Sequence, residues 1–180
     1  MQEFQVLVLP GWKSSGPDHW QTHWENLYGY QRVEQYDWLQ PLKGDWMMQL
    51  EEAVLQAQKP VVLVAHSLGC WLTAAWSSHS QNTDKVKKAF LVAPPSSALF
   101  HVEPKLHSWR NVLQQKIHFP SLLLASSNDP YCTQEQALML AQQWGSVPHK
   151  VGALGHVNAE SGLGTWEQGY VWLQEFLNKE

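Results

Sequence analysis

The sequence predicts an α/β fold in which a mostly parallel sheet of about six strands carries helices on both faces. Short apolar runs recur along the chain and alternate with longer segments whose apolar residues repeat at the helical period. Proline and glycine directly follow several of these runs, where they end a strand and begin a loop. The 180 residues suffice for one well-packed core and are few for two. We therefore predict that residues 1–180 form a single domain.

The first part of the chain contains three predicted strands and three predicted helices. The predicted strands are 4–9, 30–36 and 61–65. The predicted helices are 18–28, 44–57 and 68–77. The first strand stops at Pro10-Gly11, and the second has the weakest apolar pattern of the three. In helix 44–57, six apolar residues share one face, which is typical of a helix packed on a sheet.

The second part continues the alternation. The predicted strands are 89–93, 121–125 and 150–154. The predicted helices are 133–144 and 165–177, with one more between 103 and 116. Pro94-Pro95 ends the first of these strands, and Asn128-Asp129-Pro130 follows the second. The weak pattern of the last strand indicates a position near an edge of the sheet.

Composition excludes several classes of partner. The net charge is −4 and the charged residues are scattered, so the sequence has no basic stripe for nucleic acid and no basic amphipathic face for a membrane. No apolar run approaches the roughly 18 residues of a membrane span. Cys70 and Cys132 are too few for a disulfide scaffold, and we expect both thiols to be reduced. The pattern predicts a soluble, cytoplasmic protein.

The segment 61–71 has the form of a strand that breaks at a serine into a helix. Such a turn forces strained backbone angles on its serine, so the residues two before and two after it must be small. Ala65 and Gly69 meet this requirement around Ser67. The strain lifts the hydroxyl above the sheet edge, and the following helix directs free amides towards it. Ser67 is therefore the predicted nucleophile.

A serine nucleophile needs a histidine base, and that base needs a carboxylate to orient it. His156 follows the last predicted strand in a glycine-rich loop, and Asp129 lies in the turn after strand 121–125. An alternative role for Asp129 is an Asx-type turn or the cap of the next helix, and both roles can coexist. The order Ser67, Asp129, His156 is that of α/β-hydrolases. Three residues of the right types at three strand ends predict a catalytic triad.

The loop after the first strand predicts the rest of the site. A backbone amide from this loop usually completes the oxyanion hole, and we predict the amides of Trp12 and Leu68 as the two donors. Gly11 lets the backbone approach the reacting carbonyl. Trp12 and Trp20 are candidates for the wall of an acyl pocket. The alternative is a tight turn whose tryptophans pack on the core.

The remaining histidines have simpler interpretations. We expect six of them to be structural or on the surface, namely His66, His79, His101, His107, His118 and His149. His19 and His23 lie four apart on a predicted helix, a spacing that can bind a metal. However, there is no H-E-x-x-H glutamate and no evident third ligand, so solvated or aromatic-packed rings explain the pair. No phosphate-binding or dinucleotide-binding glycine motif occurs either. We therefore predict no metal and no cofactor.

Taken together, the motifs resemble those of the retinoblastoma-binding-protein-nine-like serine hydrolases. The segments that carry the resemblance are 10–12, 14–21, 65–69, 128–130 and 155–164. The resemblance implies a small α/β-hydrolase without a lid, in which the first and third strands are adjacent. It implies that Ser67, Asp129 and His156 are nucleophile, acid and base, with an oxyanion loop at Gly11 and Trp12. Members of this family are mostly assigned as esterases of small acyl substrates. The retinoblastoma binding of the namesake is not carried over, because no residues here match a motif for it.

These observations predict a short-chain carboxylesterase acting through an acyl-enzyme. Because the core elements use up the chain, no long insertion remains for a lid, and the open site favours small-molecule esters. An amidase, a peptidase or a thioesterase would use the same residues. A protein of another class, a weakly active binding module on the same fold, is a further alternative, and the sequence identifies no protein partner.

Overall fold

Six parallel strands form one sheet in the computed structural model, which describes residues 3–112 and 115–179. The strands are β1 (Gln5–Leu9), β2 (Gln31–Arg32), β3 (Val61–His66), β4 (Val86–Val92), β5 (Ser121–Ala125) and β6 (Val147–Lys150). Their order is β2-β1-β3-β4-β5-β6, and every neighbouring pair is parallel. The first and third strands are adjacent, as the family resemblance implied. The chain reverses its direction of winding between β1 and β3, which is the position where ligands bind in open parallel sheets.

The described residues form six α-helices, five between strands and one after β6. They are α1 (Trp20–Tyr28), α2 (Lys43–Gln56), α3 (Leu68–Ser77), α4 (Leu99–Val102), α5 (Gln134–Trp144) and α6 (Glu167–Asn178). Short 3₁₀ turns occur at Thr83–Lys85, Pro104–Trp109 and Ala159–Ser161. The predicted α/β class and the predicted helix on each side of the nucleophile strand are confirmed. Among the described residues, no helix is long and apolar enough to cross a lipid bilayer.

The core lies on both faces of the sheet. Because successive strand residues point to opposite faces, Leu7 and Leu63 belong to one apolar cluster and Val8 and Val64 to another. The first cluster packs under α2, α3 and α5, and the second packs under α1 and α6. Every residue of β3 is buried, which explains why that strand appears in the sequence as a continuous apolar run.

Three predicted elements differ from the structure. The weak strand 30–36 is reduced to the two residues of β2 at the sheet edge. The prediction of a last strand at 150–154 is wrong, because β6 is Val147–Lys150. It can include Pro148 because β6 is an edge strand of the sheet that the described residues form. In place of the helix predicted between 103 and 116, the described residues form a 3₁₀ turn, Pro104–Trp109, and the short helix α4 lies just before it. Residues 113 and 114 of that prediction lie outside the described residues.

Both cysteines are free and buried, as the sequence predicts. Burial raises the pKa of the Cys132 thiol to about 12 and raises the pKa of Cys70 further. The two thiols are therefore protonated near neutral pH and are poor nucleophiles. They pack in the core as small apolar side chains.

Candidate active site

Ser67 occupies a strained turn between β3 and α3. Its backbone has φ 54° and ψ −121°, a conformation that non-glycine residues rarely adopt. The backbone N–H of Ser67 donates to the carbonyl of Val92 at 2.9 Å, which fixes the turn to the neighbouring strand. Gly69 is the small residue that the turn requires, because a Cβ there would lie 2.2 Å from the carbonyl oxygen of Leu9. The backbone thus holds the hydroxyl at the carboxyl edge of the sheet.

His156 connects Ser67 to Asp129. Its Nε2 lies 2.9 Å from Oγ of Ser67, and its Nδ1 lies 3.0 and 2.9 Å from the two carboxylate oxygens of Asp129. Because a carboxylate only accepts hydrogen bonds, Nδ1 carries the proton and Nε2 accepts from the serine hydroxyl. The side chains of His156 and Asp129 are 9% and 3% exposed. Three residues from three strand ends therefore form one nearly buried hydrogen-bonded chain.

The loops that carry the acid and the base are bonded to each other. Asp129 also accepts the backbone N–H of Tyr131 at 2.9 Å, so the predicted Asx-type turn coexists with the contact to His156. The side-chain oxygen of Asn128 accepts the backbone N–H of Gly155 at 2.7 Å. The ring of Tyr131 packs edge-on against His156, with centroids 4.7 Å apart. These contacts hold the carboxylate of Asp129 and the ring of His156 in place.

Two backbone amides adjoin the serine. A Cβ on Gly11 would lie 2.8 Å from Cβ and 3.3 Å from Oγ of Ser67, so only glycine allows the loop after β1 to approach this closely. Trp12 follows Gly11, and within the described part of the chain its backbone N–H donates no hydrogen bond. Leu68 is the first residue of α3, where an amide has no acceptor inside its own helix. Both predicted oxyanion donors are therefore free for a ligand.

Arg32 fixes this loop from the edge strand β2. Its guanidinium donates to the Ser14 hydroxyl and the Ser15 carbonyl, each at 3.0 Å, and to the Thr22 hydroxyl at 2.8 Å. A further bond of 2.9 Å joins it to the carboxylate of Glu25. Ser14 has a positive φ of 66°, which the guanidinium helps to hold. No local pattern in the sequence predicts this contact, because its partners lie on different elements.

Replacing Arg32 by Met should loosen the loop that carries Gly11 and Trp12. Because loss of one oxyanion donor costs 10²–10³ in kcat in known enzymes, we expect displacement of the loop to lower kcat about 10- to 100-fold, with a smaller change in KM. Steady-state kinetics on p-nitrophenyl acetate would measure this. Glu25→Gln is the control, since it leaves the three other acceptors in place. Equal effects of the two substitutions would contradict this role for the guanidinium.

An open cavity of about 240 Å³ surrounds Ser67. It is lined by Gly11, Trp12, Lys13, Ser14, His19, His66, Ser67, Leu68, Pro95, Leu99, Leu106, Tyr131, His156 and Asn158. Gly11 and Trp12 thus line it as predicted. Trp20 does not, and the prediction that it forms a pocket wall is wrong. Its ring is 1% exposed, and its Nε1 donates to the carbonyl of Val157 at 2.8 Å, which anchors the histidine loop.

His66, predicted to be structural or on the surface, is buried beside the triad. Its Nε2–H donates to the backbone carbonyl of His156 at 2.9 Å, and the centroids of the two rings are 5.0 Å apart. Burial lowers the pKa of His66 well below its usual value, so the ring is neutral at neutral pH. Its position next to Ser67 in the sequence was the only signal for this contact.

His19 is the second buried histidine of the cavity wall. Its Nδ1 accepts the backbone N–H of Gln21 at 3.1 Å and so caps α1. Its Nε2 has no hydrogen-bond partner among the described residues. Burial, and then the charge of Arg32, lower the pKa of His19 to about 3. The ring packs at a tilt against Trp20 and edge-on against His66, which agrees with the predicted aromatic packing. Among the described residues, no group of three or more His, Cys, Asp or Glu side chains could hold a metal ion.

The lowered pKa of His19 makes stability depend on pH. The unfolded state binds a proton near pH 6.5 and the folded state only near pH 3, so stability is fully present above pH 6.5 and is lost as pH falls. At pH 5 the expected loss is about 2 kcal/mol. Urea unfolding at neutral and acidic pH would measure it. His19→Asn keeps a capping acceptor and does not titrate, so this variant should lose less stability on acidification. An unchanged pH dependence in the variant would contradict the assignment.

Comparisons with known proteins identify the family of this chain. A family model described as serine hydrolase matches residues 6–175. The chain belongs to this serine hydrolase family. The serine hydrolase is also similar to a YdeN-like hydrolase from Pectobacterium atrosepticum, with 31% identity and a TM-score of 0.86 over 97% of this chain and 91% of that chain. These two findings confirm the resemblance to a small serine hydrolase family.

Two further solved structures share the fold with this serine hydrolase. The ydeN gene product of B. subtilis is 22% identical, with a TM-score of 0.74 over 98% of this chain and 100% of that chain. Est1E from Butyrivibrio proteoclasticus, solved with ferulic acid bound, is 10% identical, with a TM-score of 0.76 over 98% of this chain and 90% of that chain. A comparison with curated proteins found no significant match. The α/β-hydrolase fold is thereby confirmed.

Proposed function

We propose that this serine hydrolase is a carboxylesterase of short acyl substrates. The observation that carries the proposal is the hydrogen-bonded chain from Asp129 through His156 to Ser67, with contacts of 2.9–3.0 Å, at the floor of an open cavity. A serine hydroxyl in this arrangement can lose its proton to the imidazole as it attacks. No other group of described residues lining the cavity combines a nucleophile with an oriented base.

The reaction proceeds in two steps. Ser67 Oγ bonds to the ester carbonyl carbon while His156 Nε2 takes the hydroxyl proton, and the amides of Trp12 and Leu68 stabilise the oxyanion. As the tetrahedral intermediate collapses, the bond to the alcohol oxygen breaks and His156 returns the proton to that oxygen. Water then repeats the sequence on the acyl-enzyme and releases the acid. Asp129 stabilises the imidazolium in both steps.

Hydrolysis of p-nitrophenyl esters from acetate to decanoate tests this proposal. The cavity of about 240 Å³ is smaller than pockets for drug-sized ligands, so kcat/KM should fall at least about tenfold between butyrate and decanoate. A fluorophosphonate probe should label Ser67 and should not label Ser67→Ala. Rates that rise towards decanoate would contradict the short-chain specificity. A wild type that does not hydrolyse these esters but cleaves p-nitroanilides or thioesters would indicate an amidase or a thioesterase with the same residues.

A further inference from the structure

The cavity around Ser67 has two chemically different halves. Trp12, Leu68, Leu99 and Leu106 form an apolar half that is continuous with the core cluster under α2 and α3. The opposite half is formed by imidazole and amide groups. Its side chains are His19, His66, His156 and Asn158. Leu68 and Leu106 belong to the first core cluster, whereas Trp20 and Val157, which adjoin His19, His156 and Asn158 in sequence, belong to the second.

The mechanism determines which half receives the leaving group. In the proposed reaction, which this inference assumes, His156 Nε2 must reach the alcohol oxygen to return the proton. The alcohol therefore leaves on the side of His156, in the polar half. The acyl chain then occupies the apolar half beside Leu99 and Leu106. Each half thus suits a different part of an ester.

Asn158 presents a free donor in the polar half. Its side-chain oxygen accepts the backbone N–H of Glu160 at 3.1 Å, and its own backbone N–H donates to the Ser161 hydroxyl at 3.1 Å. These bonds form a capping box that fixes the side chain at the first turn of Ala159–Ser161. Its Nδ2 forms no hydrogen bond within the described part of the chain, although the half-buried residue lines the cavity. This amide is therefore available to donate to a ligand oxygen in the cavity.

We propose that the enzyme selects esters whose leaving alcohol carries a second oxygen, and that Asn158 Nδ2 donates a hydrogen bond to that oxygen. The substrate class is then a short apolar acyl group on a polyol-like or ether-bearing alcohol. His19 adds a second polar group to the same wall, since its buried Nε2 is also unpartnered among the described residues. When an apolar alcohol group occupies this half, these donors lose water and gain no hydrogen-bond partner, so esters of such alcohols bind less well.

The test compares 2-methoxyethyl butyrate with n-butyl butyrate. The two leaving groups have the same length and differ by one oxygen, which accepts a hydrogen bond and cannot donate one. The wild type should prefer the methoxyethyl ester in kcat/KM by about five- to tenfold. Asn158→Asp keeps the capping oxygen and removes the donor, so it should abolish or reverse this preference. Asn158→Ser, an uncharged cap of shorter reach, should bring the ratio of the two rates close to one.

Ser161→Ala is the matched control. It breaks the other half of the capping box and leaves the Asn158 amide in place, so the preference should persist even if both rates fall. A loss of preference in this variant as large as in Asn158→Asp would overturn the role of the amide. Equal wild-type rates on both esters, abolished by Ser67→Ala, would overturn this inference and leave the proposed esterase intact. No serine-dependent turnover of either ester would overturn both.

Discussion

The Ser67→Ala variant is expected to hydrolyse p-nitrophenyl acetate at least about 10⁴-fold more slowly than the wild type. The substitution removes only the hydroxyl oxygen, and alanine places no new atom against the strained backbone at φ 54°. The fold should therefore persist while the nucleophile is lost. The residual rate above that in water would come from the free amides of Trp12 and Leu68 and from substrate binding.

The triad should also behave as one unit. His156 contacts both Ser67 and Asp129, so His156→Ala disables the same step as Ser67→Ala. The double variant should then be no slower than the slower single variant, within about twofold. Steady-state rates of the three variants, with urea unfolding to verify their stability, would measure this. If the rate loss of the double variant equalled the product of the two single losses, a shared mechanism would be contradicted. An active Ser67→Ala variant would contradict it as well.

Replacing Gly69 by Ala should have the largest effect on stability. Its Cβ would lie 2.2 Å from the carbonyl oxygen of Leu9 and 3.1 Å from that of Pro10, and both of these atoms belong to backbone that cannot rotate away. The helix α3 must shift from β1 or the strand must bend, and we expect a loss of about 3 kcal/mol or more. The same shift would move the loop with Gly11 away from Ser67 and lower esterase activity.

Gly44→Ala is the matched control for this prediction. Gly44 lies in the first turn of α2, and nothing is within 4 Å of the Cβ that it would gain. Alanine there should stabilise the protein by about 0.5–1 kcal/mol, because it restricts the unfolded chain and favours the helix. Urea unfolding of both variants measures the contrast. A stable, active Gly69→Ala would show that the close packing between α3 and β1 is not required.

Local patterns predicted most of the elements because their signals are confined to short segments. The run 61–65 and the helix 133–144 need only neighbouring residues to be recognised, and α5 is Gln134–Trp144 with Thr133 as its N-cap. Prediction failed at β6 and around Pro104. There, an edge position allowed a proline in a strand, and the segment that begins at Pro104 formed a 3₁₀ turn in place of an α-helix. The structure of these two segments depends on the parts of the protein against which they pack, and the local sequence does not contain that information.

The candidate site also contains residues that local patterns predicted and residues that they did not. Ser67, Asp129 and His156 were predictable because each follows a strand, and the carboxyl ends of parallel strands meet at one edge. The prediction for Trp20 was wrong because helical spacing cannot distinguish a side chain that lines a pocket from one that is buried and holds the histidine loop through the carbonyl of Val157. Arg32 lies in no motif, and Asn158 lies in the histidine loop 155–164 without a local pattern that indicated its own role. The role of Arg32 follows from partners that are distant in sequence. The role proposed for Asn158 follows from an amide donor that has no hydrogen-bond partner among the described residues.

The sequence by itself determined the fold class, the identity of the nucleophile segment and the types of residue at each strand end. Periodicity and the steric demands of a strained turn are local and can be read from neighbouring residues. Only the tertiary structure decided that His66 and His19 stay neutral beside His156, that Arg32 holds the loop after β1, and that the cavity is lined by both apolar and polar side chains. Burial and hydrogen bonding across elements control these properties, and both arise when the two faces of the sheet are covered.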